Sequence, residues 1–234
     1  MLKTSRILER IVRTFHSDSN YRIASEYGLR EFTWILFYRG LQVLRGLKIR
    51  LVATTEGTVF CGRSVCIEHG YNISAGKSLV IEDNVYINAL SLEGIKFGRK
   101  VFVGRGAVIV CTGVVAQKGV GLKIGDSSGI GAYSYIGCQG GVSIGNDVII
   151  GPGLKMFSEN HNFQNPNELI RKQGVHRKGI RVGDNCWMGC NVTILDGVEI
   201  GDGCVIAAGS LINKSIPANS VVAGIPARVI KSRA

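Results

Sequence analysis

Histidine is scarce in this chain: four stand among 234 residues, and no two sit at metal-ligand spacing. That disfavours a zinc centre built on three imidazoles. Cysteine numbers seven but shows no paired spacing, which argues against a disulfide framework. Cys186 and Cys190 form a CxxxC with no second pair to complete a zinc site, so packing is the expected role and no metal is expected. No signal peptide is evident, which fits reduced thiols in a cytosolic protein. The most apolar segment, Phe32 to Leu47, is too short and too charged to span a bilayer. A phosphate-binding P-loop and a dinucleotide fingerprint are missing. So are a recognition helix, a zinc finger and an aromatic-lined sheet signature, and no nucleic-acid partner is expected. Proline is down to four residues, and Pro217 and Pro226 fall after the last regular stretch of sequence.

What the chain has is glycine, 32 residues of it, on a six-residue beat. From Val182 an aliphatic residue or Met recurs at Met188, Ile194, Ile200, Ile206 and Ile212. Val192, Val198, Cys204 and Ser210 follow four positions after members of that series, and Gly or Ala comes directly after several of them. A helix repeats near 3.6 and a strand at 2, so neither accounts for a period of six. A hexapeptide β-helix does: each hexad makes one side of a triangular coil, with its first residue in a stacked core. Gly after that residue suits a corner where a side chain is costly. The beat recurs at Ile124, Ile130 and Ile136, at Ile144, Ile150 and Met156, at Phe97, Val103 and Ile109, and at Ile81 and Ile87. Two interruptions are larger than a corner slip: Cys111 to Lys123, and the polar stretch 157–181 with His161 and His176.

The net charge of +11 is uneven, since residues 1–50 hold ten Lys/Arg against four Asp/Glu. Ser5 to Phe15 reads as a short amphipathic helix and Phe32 to Leu47 as a second, with Arg39, Gln42 and Arg45 on one face. Such a segment either caps the open end of the β-helix or packs on another subunit. As a basic amphipathic helix it can also lie in a membrane interface. The expected layout is a basic helical segment over 1–50, the β-helix over 51–217 with a loop at 157–181, and a tail over 218–234.

Two stretches carry a family resemblance. They are IGNDVIIGPGLKMFSENH and, after the loop, VGDNCWMGCNVTILDGVEIGDGCVIAAGSLINKSIPANSVVAGIPARVIK. The chain from Ile144 to Lys231 resembles the hexapeptide-repeat acyltransferases, in the branch of galactoside, maltose and xenobiotic acetyltransferases and polysaccharide O-acetyltransferases. The resemblance implies an all-β, left-handed parallel β-helix that assembles as a homotrimer with sites between subunits. It implies acetyl-CoA as co-substrate and His161 as catalytic base, which suits an acceptor hydroxyl that is a poor nucleophile at neutral pH. It places Trp187 in the wall of the acetyl-CoA and acceptor cleft, Gly189 among the cofactor-binding positions, and the main chain of Cys190 on the pantetheine arm, with Ala208 contacting on the next coil. It places Asn213 and Lys214 near the adenosine, and Arg228 and Lys231 near the phosphates. Asn160 and Trp187 fall on the acceptor side. Gly131 and Gln139 stand where the galactoside and maltose enzymes carry acceptor-binding Asn and Asp. The acceptor is therefore expected to be held differently from a simple galactoside.

The resulting expectation is O-acetylation of a sugar hydroxyl on a bacterial surface polysaccharide or its lipid-linked precursor. The enzyme is expected in the cytoplasm, with peripheral contact to the inner face of the membrane through residues 1–50. N-acetylation of an amino sugar or a xenobiotic is the alternative, and a zinc enzyme like the γ-type carbonic anhydrases is a more distant one. Glu159 and Glu168 are both candidates to orient His161, and surface solvation is the expected state of His176.

Overall fold

The computed structural model describes residues 27–233. The helix expected over Ser5 to Phe15 lies outside them. The described residues divide into two units between Leu41 and Gln42. The second unit is a left-handed parallel β-helix of triangular cross-section. Face 1 stacks seven strands: Thr54–Thr55, Ile73–Ala75, Ile95–Phe97, Leu122–Ile124, Val142–Ile144, Ile180–Val182 and Glu199–Ile200. Face 2 stacks nine, from Val59–Cys61 through Trp187–Met188 to Ser220–Gly224 and Ala227–Ser232. Face 3 stacks seven, from Cys66–Glu68 through Lys155–Phe157 to Leu211–Ile212.

The six-residue beat becomes vertical register. Ile144, Val182 and Ile200 stack on face 1; Ile150, Met188 and Ile206 on face 2; Met156, Ile194 and Ile212 on face 3. All nine are buried. The residues four positions on, such as Val192, Val198 and Cys204, fill the corners of the same core. Deleting the side chain of one such Ile leaves neighbours above and below that cannot collapse inward, at about 2–5 kcal/mol.

The glycines that follow the core residues are there for space rather than backbone freedom. Gly98, Gly125, Gly145 and Gly183 precede Arg99, Asp126, Asn146 and Asp184, whose backbone N–H groups each donate to a side-chain oxygen one coil on. The acceptors are Asp126, Asn146, Asp184 and Asp202, at 2.7–2.8 Å. A Cβ on Gly183 would lie 2.2 Å from the Asp202 carboxylate, and one on Gly145 2.3 Å from that of Asp184. The left-handed conformation falls two residues later, on Ser127, Asp147 and Asn185, with φ of 53–55°. Successive coils are thus sewn together by a ladder of Asp and Asn side chains running along the corner between faces 1 and 2.

At the start of the solenoid, helix α1 (Leu29–Ile49) is slightly longer than the sequence pattern indicates. Its buried residues are Gln42, Gly46 and Ile49, so the polar row containing Gln42 is the side that packs. Gly46 makes this possible, because a Cβ there would fall 1.9 Å from the Val59 carbonyl oxygen. Ile49 enters the first layer of the core. At the other end, the segment expected as a tail continues face 2. Ser220–Gly224 pairs in parallel with Val205–Ile206, and Ala227–Ser232 folds back antiparallel on it.

Candidate active site

The polar interruption is a hairpin that leaves the corner between faces 3 and 1. Strand Lys155–Phe157 ends at Ser158, which is fully buried. Its hydroxyl donates to the Gly137 carbonyl at 2.7 Å and accepts from the Gly140 N–H at 2.9 Å. Beyond it, Asn160–His161 pairs antiparallel with Val175–His176, His161 opposite Val175. The regular coil resumes at Ile180, so the excursion proper is 158–179.

Four pairings stiffen its base. Arg177 donates to the Glu159 carboxylate from Nε and Nη2, both at 2.6 Å, and from Nη1 to the Lys118 carbonyl at 3.2 Å. The side chains are 12% and 24% exposed, so the pair is largely withdrawn from solvent. Removing one partner of such a desolvated pair costs about 3–5 kcal/mol, because the remaining charge is stranded. His176 Nδ1 meets Asn162 Oδ1 at 2.9 Å, and Asn162 Nδ2 donates to the Gln173 carbonyl. His176 is therefore half-buried and bonded inside the hairpin rather than solvated. Glu159 is engaged by Arg177, and Glu168 lies on the exposed far part of the loop. His161 is exposed, beside the half-buried Asn160, on the rigid part of the excursion.

The other predicted site residues form a second, separate group. Trp187 is 56% exposed on face 2, between Ile149 and Val205 in register. Directly after it, Gly189 and Cys190 turn the corner from face 2 to face 3, and Ala208 turns the same corner one coil later. The Gly209 N–H donates to the Cys190 carbonyl at 2.8 Å. Among the described residues neither the Cys190 N–H nor the Ala208 N–H has a hydrogen-bond partner. At the corner between faces 1 and 2 the equivalent donors are capped by Asp or Asn; here a column of main-chain donors stays open. The side chains beside it are small and exposed, and a Cβ on Gly209 would meet nothing within 4 Å. Asn213 and Lys214 follow on the corner after Leu211–Ile212 and are exposed. Arg228 and Lys231 lie on the closing strand, opposite Ala223 and Val221. The line Trp187, Val205, Val221, Lys231 is a register column, about 14 Å over three strand spacings. Small side chains, open N–H donors and terminal cations suit a slender arm that ends in phosphates.

Within one chain, His161 and this column lie at opposite edges of face 3. The separation is roughly six residues of extended backbone, on the order of 15–20 Å. Gly131 and Gln139 contribute no charged group; a Cβ on Gly131 would lie 2.3 Å from the Gly151 carbonyl oxygen. The sequence reading missed the Glu159–Arg177 pair, although a Glu and an Arg near the two ends of a polar loop were a usable signal.

All seven cysteines are free thiols; Cys66 and Cys190 are exposed and the other five buried. Burial pushes the Cys186 thiol up to about 11. A thiol reagent at neutral pH should label Cys66 and Cys190 quickly and the remaining five only on unfolding. Rapid labelling of Cys186 in the folded protein would contradict this packing.

Comparison with known proteins adds the following. Residues 179–214 match the bacterial transferase hexapeptide (six repeats) family model, and residues 121–154 match the hexapeptide repeat of succinyl-transferase. The galactoside O-acetyltransferase of Escherichia coli is 42% identical over 90 residues, 38% of this chain and 43% of that protein. A putative lipopolysaccharide biosynthesis O-acetyl transferase of Escherichia coli, WbbJ, is 32% identical over 130 residues, 48% of this chain and 66% of that protein. A probable acetyltransferase of Mycobacterium tuberculosis is 28% identical over 150 residues, 57% of this chain and 50% of that protein. The chain thus spans 43–66% of the length of these relatives. Among solved structures, AntD, an N-acyltransferase from Bacillus cereus in complex with dTDP and 3-hydroxybutyryl-CoA, shares the fold with a TM-score of 0.52 at 19% identity. That match covers 82% of this chain and 88% of AntD. With the period-six core in register, residues 121–154 and 179–214 carry the hexapeptide repeat that these transferase family models describe.

Proposed function

We propose that this protein is an acetyl-CoA-dependent O-acetyltransferase acting on a sugar hydroxyl of a surface polysaccharide or its lipid-linked precursor. The observation that carries the reading is His161, held on a braced hairpin, together with the open N–H column at Cys190 and Ala208. His161 accepts the proton of the acceptor hydroxyl as that oxygen attacks the thioester carbonyl carbon. The carbon–sulfur bond then breaks, and the imidazolium returns its proton to the departing CoA sulfur. Cys190 and Ala208 hold the arm through their main-chain N–H groups, Arg228 and Lys231 meet its phosphates, and Asn213 and Lys214 lie beside the adenosine. Because the two groups lie at opposite edges of face 3, one chain does not complete the site. A homotrimer, in which the hairpin of one subunit reaches the column of its neighbour, brings them together. The E. coli relatives named as O-acetyltransferases support a hydroxyl acceptor over an amine.

The decisive experiment incubates the protein with acetyl-CoA and glycans from cells lacking it, and follows acetyl gain by mass spectrometry. An acetyl ester on one sugar residue is expected. Transfer to an amine alone would replace this reading with N-acetylation.

Helix α1 favours a membrane-proximal location. Its sequence is rich in Arg and Lys, with Glu31 the one acidic residue within Leu29–Ile49. Trp34, Phe37, Leu44 and Leu47 are 50–67% exposed. No helix among the described residues is long and apolar enough to cross a membrane. An interfacial helix of this composition binds anionic lipid through its apolar side chains and its cations together. The full chain should sediment with vesicles containing phosphatidylglycerol and not with neutral vesicles. Leu44→Glu should cut that binding several-fold, and equal recovery with both vesicle types would rule the location out.

A further inference from the structure

Outside the site just described, face 1 carries a trough of about 380 Å³. Its floor is backbone. Gly94, Gly121, Gly141 and Gly179, one per successive coil, turn the corner onto face 1 with φ of 76°, 136°, 91° and 85°. These are left-handed conformations that glycine adopts at little cost. Space forbids side chains as well: a Cβ on Gly121 would lie 2.3 Å from the Gly94 carbonyl oxygen, and one on Gly179 2.8 Å from that of Gly140. The corner is consequently a smooth groove running along the solenoid.

Its walls are cationic. Lys96 and Lys123 are direct register partners on adjacent strands, followed by Ser143 and then Arg181. Lys178 stands on the rim, fixed there because its own N–H and that of Gly179 donate to the Asp196 carboxylate. Glu93 is the one carboxylate lining the trough. Arg181 has Glu199 at 3.8 Å, but both side chains are at least 70% exposed and the contact is weak. Lys96, Lys123 and Lys178 have no ion pair among the described residues. Two like-charged side chains directly opposite on neighbouring strands, whose backbones lie about 4.8 Å apart, repel, so folding does not account for them. An elongated anion lying along the trough does, since each cation then meets an oxygen of it.

We propose that this trough binds the diphosphate of a carrier-linked sugar acceptor, a refinement that rests on the acetyl-transfer reading for the sugar but not for the anion. Lys178 is two residues from His176, on the return leg of the hairpin that holds His161. A diphosphate between Lys123 and Lys178 leaves its sugar at the base of that hairpin. The carrier is a nucleoside or a lipid, because both present the same diphosphate.

The test is calorimetric, on the full chain at low salt. Inorganic pyrophosphate is expected to bind, and Lys96→Gln with Lys123→Gln to weaken it at least tenfold, with affinity falling steeply as salt rises. The double variant should keep or raise the melting temperature, because it relieves a repulsion; lost binding is then not lost folding. It should also keep its affinity for CoA, whereas Arg228→Gln should weaken CoA and leave the lysine-dependent pyrophosphate binding in place. UDP-glucose and farnesyl diphosphate form the two carrier arms, and the one that shows the lysine dependence identifies the carrier. Pyrophosphate affinity unchanged by the double substitution, or absent altogether, overturns the proposal. Binding is read without turnover, so failure of acetyl transfer to every glycan would sink the catalytic reading alone.

Discussion

His161→Ala should lower acetyl transfer about a hundredfold or more, with the loss falling on kcat. Affinity for acetyl-CoA should be unchanged, because the Cys190 and Ala208 donors stand at a different corner from the hairpin. The hairpin should also keep its shape. Its bracing comes from Glu159–Arg177, His176–Asn162 and Ser158, and His161 contributes only backbone pairing with Val175. His176→Ala is the informative comparison. It removes a bond inside the hairpin and should cost up to about tenfold, through a looser base and not through lost chemistry. A double variant should then be little worse than His161→Ala alone. Steady-state rates over a range of both substrates decide the matter. Near-normal turnover in His161→Ala, or an effect of His176→Ala as large as that of His161→Ala, would move the base to another residue.

The repeat was legible in the sequence because it is a one-dimensional pattern: a core position every six residues stacks on its own image one coil later. Val182 and Ile200, three hexads apart, could be placed on one column from spacing alone, and the structure puts them there and adds Ile144 to the column across the excursion. His161 was legible for a different reason, its place just after the last hexad before a polar excursion. The sense of the glycines was not legible. Gly145 and Gly183 look like turn residues, and only the coil above shows that Asp184 and Asp202 need the space. The packing side of α1 was hidden for a similar reason. Gln42 reads as a surface residue until Gly46 is seen to admit the Val59 backbone, which draws that side of the helix inward. The trough on face 1 needed both kinds of information. Each lysine reads as ordinary solvated charge, and only the register shows Lys96 against Lys123 above a floor without side chains.

Gly140→Ala should damage both stability and turnover, although it adds one methyl group to a residue outside the core. A Cβ there would fall 1.9 Å from the Ser158 carbonyl oxygen and 3.1 Å from the Arg177 Cβ, one from each leg of the hairpin. Neither leg can yield easily. Ser158 is fully buried and bonded to Gly137 and Gly140 itself, while Arg177 is tied to Glu159 and to the Lys118 carbonyl. Overpacking of this kind costs about 1–3 kcal/mol, occasionally more, and the displacement is passed directly to Asn160 and His161. The expected result is a melting temperature lower by several degrees and turnover reduced at least tenfold, with CoA affinity retained. Gly113→Ala is the matched control, since its added Cβ would meet only the Gln139 side-chain nitrogen at 3.4 Å. That variant should behave like the parent protein in both measurements. If Gly140→Ala did so too, the base of the hairpin would be free to shift by more than an ångström, and the placement of His161 could not depend on the bonds that now hold Ser158 and Arg177.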